Sequence, residues 1–223
     1  MSRTPLKERL LPDYTKGEEI FNMISHIAGG ALGVTALALC VVFSFLKRDP
    51  YAVVSSFIYG FSLILLYTMS SLYHGLRPGL AKKVLQVLDH CTIYFLIAGT
   101  YTPILLCAIR RVAPATAWVL FGVVWGCAAA ATVFTAIDLK RYAKLSMACY
   151  IGMGWCIVLA AKATNLAIRP GGLWLLLAGG VAYTVGAVLY AKGKTHRYMH
   201  SVFHLFVVLG SLLHFFCVFF YVI

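Results

Sequence analysis

The sequence predicts an all-α membrane protein in which seven helices span the bilayer. Three observations predict this fold: 61% of the 223 residues are hydrophobic, 12% are charged, and the mean hydropathy is +0.87. A soluble domain of this length needs more polar surface than so few charges supply. Because a helical span uses about 20 apolar residues, seven spans account for roughly 140 residues and leave short loops and termini.

Short polar segments rich in Lys, Arg, Pro and Gly separate the apolar stretches and set the limits of the spans. The spans are predicted at 21–46, 51–73, 86–108, 114–137, 145–167, 172–190 and 199–222. Residues 1–19 form a predicted cytoplasmic N-terminal lead-in, and residues 20–223 form one seven-helix membrane domain. The lead-in lacks the apolar core and small-residue cleavage site of a signal peptide.

Groups of glycines inside the spans predict faces at which helices approach closely. They are Gly29, Gly30 and Gly33; Gly122 and Gly126; Gly152 and Gly154; and Gly179, Gly180 and Gly186.

The distribution of basic residues predicts the orientation in the membrane. With a cytoplasmic N-terminus, the cytoplasmic segments hold 13 of the 19 Lys and Arg residues and the opposite side holds 6. Cytoplasmic loops carry the excess of positive charge, so we predict the N-terminus inside and, after seven spans, the C-terminus outside. The basic residues stand singly or in pairs between apolar spans, so the net charge of +12 does not indicate a nucleic-acid partner.

Polar side chains occur near the cytoplasmic ends of three predicted spans. Span 2 ends with Ser70 and His74, span 3 begins near Asp89, and span 7 begins with His200 and His204. Ionisable groups at the edge of a membrane are costly, so their convergence at one depth marks a candidate functional site.

The spacing of the histidines indicates a metal site. His200 and His204 share one helix face about 6 Å apart along the axis, a spacing by which a helix presents two imidazoles to one metal ion. His74 would complete a three-histidine set with an open fourth position, which suits zinc with a bound water. Asp89 would orient that water, accept its proton or hold an imidazole tautomer, and Ser70 would hydrogen-bond the water or polarise a substrate carbonyl.

Other roles stay open for these residues. A membrane histidine also serves as a hydrogen-bonding group between helices, and Asp89 could instead cap the start of span 3. Among the remaining histidines, His26 could line the same cavity, and His214 lies too far along span 7 to share the metal. His90 points about 100° away from Asp89 around the helix and is expected to face elsewhere.

Several motifs resemble the hemolysin III family, the bacterial-type branch of the progestin and adipoQ receptor superfamily. They are EEIFNMISHIAGG at 18–30, SSLYH at 70–74, LDHCTIYFLIAGTYTP at 88–103, MGW at 153–155 and HSVFHLFVVLGSLLHFF at 200–216. The resemblance implies a seven-helix bundle with an intracellular N-terminus, in the inner membrane of a bacterial cell.

The resemblance also implies roles for the polar residues. In the adiponectin receptors of this superfamily three histidines hold zinc near the cytoplasmic side, and their motifs match His74, His200 and His204. The Asp and Ser on the water side of that metal match Asp89 and Ser70. Related alkaline ceramidases use a similar set to hydrolyse an amide bond in sphingolipid.

Two classes of function follow. The first is a zinc-dependent hydrolase of a lipid amide or ester, with Asp89 and Ser70 as its catalytic residues. The second is a non-enzymatic membrane sensor or regulator of lipid homeostasis whose zinc is structural. In both, the expected partners are membrane lipids and a lipid substrate or ligand that enters from the bilayer, and the sequence identifies no protein partner.

Overall fold

The computed structural model describes residues 4–192 and 196–223, and within these residues the chain forms helices and no strands. Seven helical segments of this part are long and apolar enough to cross a membrane, which confirms the predicted fold class. The helices are α1 (Lys16–Leu46), α2 (Pro50–Gly75), α3 (Leu80–Pro103), α4 (Pro114–Ile137), α5 (Ala143–Trp155), α6 (Ala161–Ala167), α7 (Pro170–Lys192) and α8 (Met199–Tyr221).

Two of the spans are composite. The third span continues from α3 through a π-helix, Ile104–Ala108, and a 3-10 turn, Ile109–Arg111. The fifth span consists of α5, a 3-10 segment, Cys156–Ala160, and α6. A short 3-10 helix, Leu6–Glu8, precedes α1.

The first helix begins at Lys16, five residues before the predicted start at 21. Thr15 accepts a hydrogen bond from the Glu18 N–H, and the Glu18 carboxylate accepts one from the Thr15 N–H. This capping box starts the helix with a polar turn, ahead of the apolar run that set the predicted limit. The first turn of α1 therefore contains Glu18 and Glu19.

The third span also begins earlier than predicted, at Leu80 instead of 86. Asp89 consequently lies more than two turns inside the helix, where a side chain cannot reach the free N–H groups of the first turn. The alternative that Asp89 caps this helix is wrong.

The third span packs against α2, α4 and α5 and is the most buried of the seven, while α1 packs closely on α2. A Cβ at Gly60 would lie 2.5 Å from the Leu37 Cα, so glycine is required where α1 and α2 touch. The predicted close contacts at Gly122, Gly126, Gly152 and Gly154 are wrong, because a Cβ there would meet no described atom within 4 Å.

The fifth span is broken because a side chain from α3 enters its hydrogen-bond ladder. The Tyr101 hydroxyl donates to the Gly154 carbonyl over 2.8 Å and accepts from the Ile157 N–H over 3.0 Å. Insertion of a side chain into the ladder is a known cause of helix breaks. The break lies on the wall of an internal cavity, to which both Tyr101 and Gly154 contribute.

Candidate metal centre

Three histidines come together at the end of the bundle where α1 begins, which we call the N-terminal face. His74 comes from the last turn of α2, and His200 and His204 come from the first turns of α8. All three are buried, and one ligand nitrogen of each lies within 4.8 Å of the other two. The structure thus brings together the three histidines selected by spacing, and this histidine cluster could hold a metal ion.

The arrangement of nitrogens fits a bound cation. The Nδ1 atom of His74 lies 2.6 Å from the Glu19 carboxylate, so this nitrogen donates and Nε2 keeps its lone pair. That Nε2 atom is buried without a hydrogen-bond partner among the described residues. The Nε2 atoms of His200 and His204 are 3.1 Å apart. Tetrahedral zinc with bonds of about 2.0–2.1 Å would hold two nitrogens about 3.3 Å apart.

Glu19 links the histidine cluster to α1. Its Oε2 atom accepts from His74, and its Oε1 atom lies 2.7 Å from the ammonium group of Lys82. Lys82 is buried and also donates to the Leu76 carbonyl over 3.0 Å. A carboxylate on the second nitrogen of a metal-binding histidine fixes its tautomer and its orientation.

The sequence contained a signal for Glu19 that the prediction did not use. The pattern T-x-x-E at 15–18 is a capping box, which places Glu19 inside the helix. Glu19, Asn22 and His26 are then spaced by three and four residues and share one face of α1. Only the structure reveals that this face meets α2 and α8.

Asp89 and Ser70 lie beside the histidine cluster. Both residues line a cavity together with His200 and His204. The Asp89 side chain is 14% exposed. A carboxylate and a hydroxyl thus share one chamber with two of the three possible metal ligands.

Two further histidines contribute to the same chamber. His26 stacks on His204 with ring centroids 3.7 Å apart, and neither of its nitrogens has a hydrogen-bond partner among the described residues. The expectation that His90 faces elsewhere is wrong, because His90 lines this cavity beside Asp89. Its nitrogens lie 2.8 Å from the Gln86 carbonyl and 3.2 Å from the Tyr190 hydroxyl, so they are occupied by hydrogen bonds.

Tyr14, from the segment before α1, lies over the histidine cluster. Its ring stacks on His200 at 4.9 Å and contacts His74 at 5.8 Å between centroids. Burial raises the pKa of Tyr14 above its ordinary value, and the neighbouring Tyr190 and Glu19 raise it further. The phenol therefore stays neutral and acts as an aromatic cover.

Polar contacts fasten this segment to the N-terminal face. The Thr4 N–H donates to the Asp138 carboxylate over 3.1 Å, and the Arg9 guanidinium donates to the Ile137 carbonyl over 2.8 Å. Both contacts lie at the end of α4. The position of Tyr14 is thus set from two sides, by these contacts and by the start of α1.

An internal cavity of about 140 Å³ extends from the histidine cluster into the bundle. Its polar end contains His200 and His204 of the cluster with Asp89 and Ser70, and the remaining wall is mostly apolar. A second cavity of about 250 Å³ shares Tyr101 and His214 with the first. The second cavity also contacts Val158 and Leu177, which are exposed on the surface of the bundle.

The fold and the histidine cluster define a multi-pass membrane protein of seven helices that could bind a metal ion at one end. The family model for Haemolysin-III related proteins matches residues 14–215. The chain therefore belongs to the hemolysin III family, as its motifs predicted.

Individual relatives cover nearly the whole chain. Hemolysin-3 of Bacillus cereus is 40% identical over 206 residues, which are 92% of each chain. The Hemolysin-3 homolog of Bacillus subtilis strain 168 is 38% identical over 208 residues, 93% of this chain and 96% of the relative. The human Monocyte to macrophage differentiation factor is 26% identical over 223 residues, 97% of this chain and 88% of the relative. No solved structure gives a significant match.

Proposed function

We propose that the protein is a zinc-dependent hydrolase that cleaves an amide or ester bond in a lipid. The observation that carries this proposal is the cavity, in which His200 and His204 of the histidine cluster form a polar end with Asp89 and Ser70, and the remaining wall is mostly apolar. A mostly apolar pocket with a few convergent polar groups is typical of a ligand site. Such a cavity suits a lipid whose carbonyl lies at the histidines and whose acyl chain lies deeper.

The distribution of Lys and Arg predicts on which side of the membrane the site lies. The excess of Lys and Arg on the side of the N-terminus favours a cytoplasmic N-terminal face. The two Bacillus relatives favour a bacterial cell membrane, which for this chain we take to be the inner membrane. Val158 and Leu177, on the second cavity, mark a route by which a lipid would enter from the bilayer.

The chain's own residues supply binding and proton transfer. When bound to the three histidines, zinc supplies a Lewis acid that polarises a carbonyl and makes a coordinated water more acidic. Glu19 holds His74 in the tautomer that leaves Nε2 free. Asp89 takes a proton from the attacking water as general base, while the Ser70 hydroxyl donates to the developing oxyanion. The water oxygen bonds to the carbonyl carbon, the C–N or C–O bond breaks, and Asp89 passes the proton to the leaving group.

A non-enzymatic sensor or regulator of lipid homeostasis is the second candidate. Tyr14 covers the histidine cluster from the N-terminal face, which suits a structural metal that no substrate approaches from that side. In this alternative the cavity binds a lipid without cleaving it.

Fatty-acid release separates the two candidates. Purified zinc-loaded protein is incubated with ceramide, an N-acyl amine and a phospholipid, and free fatty acid is measured by mass spectrometry. We expect release by the wild type and a reduction of about 10²–10⁴-fold in Asp89→Asn, because a positioned base contributes that much. Asp13→Asn, in the exposed segment before α1, serves as the matched control.

Two results would count against the hydrolase. Release that is unchanged in Asp89→Asn, with zinc content equal to the wild type, removes Asp89 as the base. No release from any of the lipids by zinc-loaded wild type overturns the hydrolase and leaves the sensor.

A further inference from the structure

We propose that His214 forms a second polar subsite, which accepts a hydrogen bond from a hydroxyl group part-way along the lipid chain. The proposal rests on the proposed function in one respect, because an acyl chain must occupy the cavity that begins at the histidine cluster. It assigns a chemical class to that chain, a hydroxylated acyl group.

The hydrogen bonding of His214 defines what its ring can do. Its Nε2 atom lies 3.1 Å from the carbonyl oxygen of Leu176. Because a carbonyl only accepts, Nε2 carries the proton, and in a neutral ring Nδ1 is then an acceptor. His214 is 8% exposed, and Nδ1 has no hydrogen-bond partner among the described residues. A buried acceptor without a donor destabilises the folded state, so a donor on a ligand would find a prepared site.

Packing holds the His214 ring in place. The ring lies directly on Gly179 of α7, where a Cβ would overlap it, and Tyr183 contacts it edge-on at 5.3 Å between centroids. The absence of a side chain at Gly179 is therefore what admits the imidazole between α7 and α8. A ring fixed on two sides keeps Nδ1 in one orientation, as a specific contact requires.

The other polar side chains that line the first cavity beyond its polar end already make hydrogen bonds within the protein. These contacts are Tyr101 with Gly154 and Ile157, Thr184 with Gly180 and Trp155, Tyr183 with Ser211, and Thr100 with Leu96. Among the described residues that line the first cavity beyond its polar end, His214 is the one with a buried acceptor that has no hydrogen-bond partner. A hydroxyl in the middle of a bound chain would gain most at His214, because it would supply the donor that this buried acceptor lacks.

The position of His214 sets where the hydroxyl must be. His214 lines both cavities, so it stands where the chamber of the histidine cluster joins the second cavity. It follows His204 by ten residues on α8, a distance of about 15 Å along the helix axis. An extended acyl chain with its carbonyl at the cluster passes His214 with its middle carbons. A site built around a hydrogen bond discriminates against a chain that lacks the donor.

The test compares three acids of equal chain length: stearic acid, 12-hydroxystearic acid, whose hydroxyl lies part-way along the chain, and 2-hydroxystearic acid. Their affinities for purified zinc-loaded protein are measured by displacement of a fluorescent fatty acid. We expect 12-hydroxystearic acid to bind about five- to tenfold more tightly than stearic acid, the usual gain from one hydrogen bond. We expect 2-hydroxystearic acid to show no such gain, because its hydroxyl lies at the cluster end.

His214→Phe keeps an aromatic ring and removes the acceptor. We expect this variant to bind stearic acid within about twofold of the wild type and to lose the preference for 12-hydroxystearic acid. Phe216→Leu, at a partly exposed position of α8, is the matched control and keeps the preference. The comparison of three acids on the wild type tests the subsite even where His214→Phe fails to fold.

The outcomes separate this subsite from the hydrolase. Equal binding of stearic and 12-hydroxystearic acid by the wild type overturns the subsite alone, as does a preference that survives in folded His214→Phe. Failure of all three acids to bind overturns the subsite and removes the lipid-filled cavity on which the proposed function depends. A preference for 12-hydroxystearic acid without cleavage of any lipid supports the subsite and overturns the hydrolase.

Discussion

The Nδ1 atom of His74 lies 2.6 Å from the Oε2 atom of Glu19, and this contact leaves the other ring nitrogen free beside His200 and His204. Lys82 holds the second oxygen of the same carboxylate at 2.7 Å. An ion pair between α1 and α3 thus orients a possible metal ligand on α2. The first helix contributes to the histidine cluster without supplying a ligand.

Replacing Glu19 with Gln is expected to weaken zinc binding about 10–100-fold, the usual effect of removing an orienting carboxylate. The amide lacks the charge that favours donation from His74 and that pairs with Lys82. Zinc affinity is measured by competition with a coloured chelator. Glu18→Gln is the matched control, because Glu18 instead contacts Thr15 and the Tyr198 N–H. Equal losses in both variants would assign the effect to the start of α1 as a whole.

Removing both α8 histidines is expected to abolish zinc binding. His200→Ala/His204→Ala leaves only His74 of the three nitrogens that lie within 4.8 Å of one another. One imidazole does not retain zinc through purification, since structural and catalytic sites use three or four protein ligands. Metal content is measured by mass spectrometry of the purified protein. His196→Ala, at an exposed position before α8, should keep the wild-type content. Unchanged stoichiometry in the double variant would contradict the assignment.

The sequence predicts the spans well because apolar length decides where a helix crosses a membrane. It predicts two starts poorly, and both errors occur where the first turns are polar. α1 begins with the capping box of Thr15 and Glu18, and α3 begins before the buried Lys82. A lysine can be recognised as buried only through its partner Glu19, which is distant in sequence.

The candidate site could likewise be predicted only in part from the sequence. Spacings within one helix could select Ser70 with His74 and His200 with His204, because residues four apart share a face. Contacts between elements could not be predicted from spacing. The stacking of His26 on His204 depends on how α1 packs on α8, and the break in the fifth span depends on a Tyr101 hydroxyl from α3.

Opening the aromatic cover is expected to speed the loss of zinc. Tyr14→Ala removes the ring that stacks on His200, whereas Tyr14→Phe keeps that ring. Zinc release into an excess of chelator is followed by stopped-flow absorbance. We expect the release rate to rise severalfold in Tyr14→Ala and to stay close to wild type in Tyr14→Phe. Identical rates in all three proteins would show that Tyr14 does not limit access.

Asp138 is expected to stabilise the fold at neutral pH and to lose that effect in acid. A hydrogen bond from the Arg141 N–H, opposed by burial and assisted by the Thr4 N–H, lowers the pKa of Asp138. The pKa in the folded state therefore lies below the unfolded value of about 3.9. A carboxylate of this kind stabilises above its unfolded pKa, and the effect is lost as the pH falls through the folded value.

Thermal unfolding of wild type and Asp138→Asn, measured in detergent, checks this expectation. The wild type should melt at a higher temperature at about pH 6, and the difference should shrink by about pH 3. Asp13→Asn, on the exposed segment before α1, controls for the loss of one surface charge. A constant difference across this pH range would contradict the role given to Asp138.

The N-terminal face is expected to lie in the cytoplasm, because that side carries 13 of the 19 Lys and Arg residues. In a variant whose seven native cysteines are replaced by Ala, a single cysteine is introduced as Arg48→Cys or as Lys140→Cys. Both positions are exposed, between α1 and α2 and between α4 and α5 respectively. A membrane-impermeant maleimide should label Arg48→Cys on intact cells and Lys140→Cys only after permeabilisation. The reverse pattern would place the histidine cluster at the outer surface, where a hydrolase would meet lipids of the outer leaflet.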